Sequence, residues 1–179
     1  MPKGLKRFQQ SKQFHFITFS CYKRQPFLHT PQAKDTVQEI LEQTRKQQGL
    51  CIAAYVVMPE HVHLLTGEPF TGTVATFLQI LKQLTSRQLK SPDQKQFWQR
   101  RYYDFNVSSS AKYLEKIRYI HRNPVTRGLV THPEDYPWSS FNHYATGEPC
   151  PIEVESDWTA NRRSGDPQKT PHLTKSAPH

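Results

Sequence analysis

From Leu50 to Leu65 the chain is apolar almost without interruption, and Pro59 cuts the run in two. Leu50 to Met58 is nearly continuous in apolar residues, the pattern of a strand buried on both faces. Pro59 cannot donate to a ladder and ends it. Residues 61–67 form a second strand, and the two-residue gap is short enough for an antiparallel hairpin.

The second strand carries an anomaly. His61-Val62-His63 places two imidazoles on one side and Val62 on the other, because strand side chains alternate. Two imidazoles roughly 6–7 Å apart along a strand can grip one metal ion. Taken alone, the pair is either wet and idle or a binding site.

The flanking segments fit around the hairpin. Phe14 to Tyr22 is aromatic and β-branched and reads as the first strand. Thr30-Pro31 supplies a cap and a helix-starting proline. Val37, Ile40, Leu41 and Thr44 recur at helical spacing, so residues 31–48 form an amphipathic helix that Gly49 stops. Thr71-Gly72-Thr73 opens a second helix with Val74, Phe77, Leu78, Leu81 and Leu84 on one stripe. Phe97 to Phe105 reads as a fourth strand. The order strand, helix, strand, strand, helix, strand predicts an α+β, ferredoxin-like sandwich. One antiparallel sheet carries helices on one face, and the opposite face is free for a site.

A third helix starts at Ser108–Ser110 and ends at Asn123, since a residue before proline resists the helical region. Tyr113, Leu114, Ile117 and Ile120 form its apolar stripe. Glu115, Tyr119 and Asn123 follow one another at i, i+4 steps on a different face. Tyr119 thus sits among Glu115, Lys116 and Arg122, as a surface tyrosine or as a presented hydroxyl.

Composition enters in three places. The formal net charge of +9 and pI near 9.6 favour a polyanionic partner, nucleic acid being the commonest. Cys21, Cys51 and Cys150 are odd in number and widely spaced, which points to a reduced, cytosolic setting. No apolar leader or membrane span is present. Residues 1–12 read as a basic arm, 13–148 as the domain, and 149–179 as a disordered tail whose removal the fold should survive.

Three segments together resemble one family. Pro59-Glu60-His61-Val62-His63, Trp98-Gln99-Arg100-Arg101-Tyr102-Tyr103-Asp104 and Tyr119-Ile120-His121-Arg122-Asn123-Pro124 resemble the REP-associated tyrosine transposases, which belong to the single-tyrosine HUH transposases. Arg127-Gly128 stands where relatives have Ala-Gly. The resemblance spans roughly residues 10–145 and implies His61, His63 and Asn123 as ligands of Mg²⁺ or Mn²⁺, with Tyr119 as nucleophile. It implies nicking of single-stranded DNA beside a foldback hairpin, leaving a 5′-phosphotyrosine and a free 3′-hydroxyl. The helix with Tyr119 is then separate from the two that cover the sheet, and the protein acts as a monomer or homodimer near the nucleoid.

The chemistry suits these residues. A divalent ion neutralises charge on a phosphodiester, and a phenol, protonated at neutral pH, needs a basic or cationic neighbour to act. Trp98, Arg100, Arg101, Lys116, Arg118 and Arg122 could combine phosphate contacts with base stacking. His121 points away from the metal face, and Glu60, of the wrong strand parity, reads as a turn residue. The competing readings are a non-catalytic hairpin-binding or architectural protein on the same fold, and a replication or conjugative nickase. The last usually places its tyrosine differently and often carries a helicase domain, absent here.

Overall fold

The protein is described by a computed structural model covering residues 14–165. The expected basic arm and the last part of the expected tail lie outside these residues. Four strands, β1 (Phe14–Ser20), β2 (Ile52–Val57), β3 (His61–Thr66) and β4 (Tyr103–Val107), form one antiparallel sheet in the order β2-β3-β1-β4. Helices α1 (Pro31–Gln48) and α2 (Val74–Leu89) pack on one face. Helix α3 (Ser110–Thr126) packs on the other. This is the ferredoxin-like arrangement that the element order predicts.

Strand alternation sorts the two cores. Phe19, Tyr55, Val57, Val62 and Leu64 are fully buried against Val37, Leu41, Phe77 and Leu81 of α1 and α2. Phe16, Val56 and Leu65 face the other way and bury Ile117 and Ile120 of α3. His61 and His63 share parity with Leu65, so they lie on the α3 side.

Local chemistry fixes the helix ends. Thr30 accepts the Ala33 N–H at 3.1 Å, and Gly49, at φ 63°, adopts the left-handed turn that ends α1. Thr73 caps α2, and Ser109 caps α3 by accepting from Lys112 N–H at 3.2 Å. Two expectations for α3 are corrected. Leu114 is half exposed, so the buried stripe is Tyr113, Ile117 and Ile120 without it. The helix also runs one turn past Asn123, through buried Pro124. Pro124 gives up its own bond to the Ile120 carbonyl, and the helix closes one turn later, where Arg127 N–H donates to the Asn123 carbonyl at 3.0 Å.

The fourth strand begins later than its aromatic run suggests. Phe97 and Trp98 are buried against β1 and α2, and pairing with β1 as a strand starts at Tyr103. A tight core anchor and a strand share the same residue types, so composition does not separate them.

The tail is corrected more strongly. Residues 149–165 are ordered, with Ile152 and Val154 buried in the α1/α2 core and a helix at Asp157–Ser164. The β2 edge explains this. Val57 N–H donates to the Trp138 carbonyl at 2.8 Å, and Glu155 N–H donates to the Ile52 carbonyl at 2.7 Å. Two later segments thus cover an edge that would otherwise be open. Deleting everything from residue 149 is expected to cost about 3–6 kcal/mol from Ile152 and Val154 alone. Urea unfolding of that truncation against the full chain measures it, and an unchanged midpoint would contradict the packing.

Candidate active site

His61 and His63 stand in the middle of the sheet, where a lone imidazole pair needs partners. Each has one behind it. His61 Nδ1 lies 3.0 Å from the Glu60 carboxylate, which can only accept, so that nitrogen carries the proton and Nε2 is bare. His63 Nδ1 lies 2.7 Å from Thr18 Oγ1, placed opposite it by the β1–β3 register. On the other side, Asn123 Nδ2 is 3.3 Å from His63 Nε2, which makes that nitrogen an acceptor. Both Nε2 atoms therefore point inward, 2.9 Å apart.

At that distance the pair is satisfied either by one nitrogen keeping a proton for the other or by a cation lying against both. An octahedral ion with ligands at about 2.1 Å sets neighbouring ligand atoms about 3 Å apart. Asn123 Oδ1 is buried with no hydrogen-bond partner. A rotation of the amide would turn this orphaned oxygen toward His63 Nε2. The residues fit a divalent ion. Among the described residues no cluster of three His, Cys, Asp or Glu side chains suited to a metal occurs. Two imidazoles and an amide are the donors that the protein offers at this place.

Burial keeps the pair ready. It pushes His61 down to about 4, against the pull of Glu60, and His63 down to about 3, helped by the cations around it. Both imidazoles are neutral at pH 7, the state a metal requires. Burial raises the Glu60 carboxyl, but His61 and Arg127 more than offset that and hold it below the usual carboxylate range. His121, buried and 2.7 Å from Ser140 Oγ, is likewise pushed to about 4. It belongs to the seam between α3 and the segment after it, as its direction on the helix predicts.

These three shifts set an acid limit. Below the ordinary histidine value of 6.5 the unfolded chain binds protons that the folded one refuses, so stability falls as pH drops toward 4. Urea unfolding is expected to lose on the order of several kcal/mol between about pH 7.5 and about pH 4.5. A flat profile would mean that the imidazoles are not buried neutral.

Tyr119 is 49% exposed, and its ring centroid is 5.3 Å from that of His63 in the same chain. It opens onto a cavity of about 680 Å³ that His61, His63 and Asn123 also line. Arg118 and Arg122 stand on its wall. Lys116 lies over the rings of Phe16 and Tyr119, at 4.8 and 5.9 Å. Tyr103, 55% exposed, is the aromatic surface in the wall.

The remaining expected contacts are not gathered there. Arg100 and Arg101 do not line the cavity. Trp98 is corrected from stacking platform to core residue. It is 5% exposed, packs on Phe19 at 5.0 Å, and donates its indole N–H to Thr85 Oγ1 at 2.9 Å. Four further residues escape the sequence patterns. Glu60 is no idle turn residue: sitting in the turn, it escapes strand parity and reaches around to His61. Thr18 becomes visible only through the register. Arg127 continues the Glu115, Tyr119, Asn123 column by one more i+4 step, a signal obscured by ending the helix at Pro124. Arg24 reaches the wall through a backbone turn that no pattern announces.

Comparison with known proteins identifies the family. The REP-associated tyrosine transposase of Escherichia coli (strain K12) is 27% identical over 146 residues, covering 80% of this chain and 86% of its own. A solved structure of a REP-associated tyrosine transposase bound to a REP hairpin superposes with a TM-score of 0.66. It is 22% identical and covers 81% of this chain and 87% of its own, a likeness of fold. The IS200-like transposase profile matches residues 8–123, a span that takes in the whole sheet, both histidines, Tyr119 and Asn123. The resemblance read from the three motifs is borne out, and the chain belongs to the family of IS200-like transposases.

Proposed function

We propose that this protein is a metal-dependent single-strand DNA endonuclease and strand transferase. It acts beside a foldback hairpin and passes through a 5′-phosphotyrosine. The observation that carries the reading is the meeting of two inward imidazole Nε2 atoms, an amide oxygen with no hydrogen-bond partner and an exposed phenol in one basic cavity.

His61, His63 and Asn123 would hold Mg²⁺ or Mn²⁺. When bound, that ion neutralises charge building on a non-bridging phosphate oxygen. The chain's own residues supply the rest. Glu60 and Thr18 lock the two rings with their Nε2 atoms inward. Arg118, Arg122 and Lys116 draw in the strand, and Tyr103 offers a face for a base. Tyr119 Oη attacks phosphorus, its proton passing to solvent. The bond from phosphorus to the 3′-oxygen breaks, and that oxygen keeps the electron pair and takes a proton. One phosphodiester has been exchanged for another, so a 3′-hydroxyl can later displace Tyr119 without an external energy source. That agrees with a sequence lacking any phosphate-cradling glycine loop. The solved relative is bound to a REP hairpin, which supports a hairpin-bearing substrate here as well.

The test uses the full chain and a single-stranded oligonucleotide carrying a foldback hairpin taken from DNA flanking its gene. With Mn²⁺ a covalent adduct that survives SDS is expected, and EDTA should abolish it. Tight binding without adduct in either metal would favour the non-catalytic hairpin binder.

A further inference from the structure

We propose that Arg24 and Arg127 form a phosphate clamp for the DNA strand that leaves with the free 3′-hydroxyl. The inference deepens the nicking and transfer reading and rests on it.

The clamp is built around Glu60. One carboxylate oxygen lies 2.6 Å from Arg127 and 3.7 Å from Arg24, and also receives His61 Nδ1–H. Two guanidinium groups thus share one carboxylate, and the cluster keeps a net positive charge. Each guanidinium has five N–H donors, so most remain unspent. The Arg24 side chain is 59% and the Arg127 side chain 46% exposed, whereas Glu60 is nearly buried, so the donors face the cavity and the carboxylate lies behind them. A buried carboxylate positioning two exposed guanidiniums suits a tetrahedral anion better than it suits a purely structural ion pair.

The backbone gives a second, independent reason. Lys23 and Arg24 both adopt left-handed φ, at 52° and 53°. For residues with a Cβ each costs about 1–2 kcal/mol. None of the three residues of the turn is itself buried, although the chain on either side enters the core at Cys21 and Leu28. It is held by Arg24 N–H donating to the Cys21 carbonyl at 2.9 Å and by Lys23 N–H donating to Gln99 Oε1 at 3.3 Å. What the turn accomplishes is to bring Arg24 to the cavity beside Glu60. Two strained residues side by side, the second of them reaching into the cavity, point to function.

Direction follows from α3. Tyr119, Asn123 and Arg127 stand in one i, i+4, i+8 column, so Arg127 lies about 12 Å along the helix from Tyr119. Tyr119 flanks His63, while Arg24 and Arg127 reach His61 through Glu60. The histidine pair therefore separates the nucleophile from the clamp. In an in-line displacement the leaving oxygen sits opposite the attacking one. The strand that carries it runs toward Arg24 and Arg127, which keep it docked for rejoining or transfer.

The experiment uses the full chain, its Arg24→Gln and Arg127→Gln variants singly and together, and the same hairpin oligonucleotide with a neutral methylphosphonate at successive positions on the 5′ side of the cleaved bond. Each substitution should reduce the slope of log affinity against log salt by about 0.7. The double variant should lower the ratio of rejoined product to adduct about tenfold. It should also lose its further sensitivity to one methylphosphonate position that weakens wild type. Arg24→Lys and Arg127→Lys keep the charge without the fork and should recover part of the loss, which separates the clamp from a folding defect. Wild-type adduct with unchanged slope and rejoining in the double variant would overturn the clamp and leave nicking intact. Wild type without adduct, but with binding that still depends on both arginines, would overturn the nicking reading and the strand assignment with it.

Discussion

Replacing Tyr119 by phenylalanine is expected to cut adduct formation by at least about a thousandfold, because the proposed nucleophile is the phenol oxygen that this change removes. Little else should change. The residue is half exposed, and the ring keeps its edge contacts with His63 at 5.3 Å and Phe16 at 5.7 Å. Stability should stay within about 0.5 kcal/mol of wild type. Oligonucleotide affinity should hold within a few-fold, since the cationic wall is untouched. Adduct from Tyr119→Phe at even a tenth of the wild-type yield would reassign the nucleophile, and Tyr103, exposed on the same wall, would be the next to substitute.

The second large effect belongs to His63. Its alanine variant removes one of the two inward nitrogens and the acceptor for Asn123. Mn²⁺ binding, followed by calorimetry on DNA-free protein, should weaken by on the order of a hundredfold or more, and cleavage should disappear. Hairpin binding should persist within a few-fold, because Arg118, Arg122 and Lys116 remain. The variant also loses the stacking of the imidazole on Phe16, at 5.4 Å, so some loss of stability accompanies it. The metal measurement on folded protein keeps the two effects apart. Unchanged cleavage by a folded His63→Ala would remove the metal from the account.

How much of this is legible in the chain depends on the range of the forces involved. The hairpin at Pro59 and the helices at Thr30 and Thr73 are set by local alternation, caps and spacing, and they stand where those signals put them. The facing of His61 with His63 follows from strand parity. The exposure of Tyr119 follows from its place off the apolar stripe. Periodicity cannot bring α3 onto the histidine face of the sheet; that takes the burial of Ile117 and Ile120 against Phe16, Val56 and Leu65.

The corrections share a cause. Beside Arg100 and Arg101, Trp98 has the look of a DNA surface, yet its indole fills a space beside Phe19 and Thr85. Ile152 and Val154 are too sparse to fold by themselves, yet β2 offers them an edge and a core. Glu60 and Arg127 are far apart in the chain but meet at one oxygen because α3 continues through Pro124. In each instance a partner distant in sequence decides the outcome.

The central claim is that Tyr119 carries the DNA strand. The most direct test digests the SDS-resistant adduct with protease and nuclease and sequences the modified peptide by mass spectrometry. A nucleotide linked through its 5′-phosphate to Tyr119 is the predicted result. A nucleotide on any other residue, or a 3′-linked one, would contradict the account.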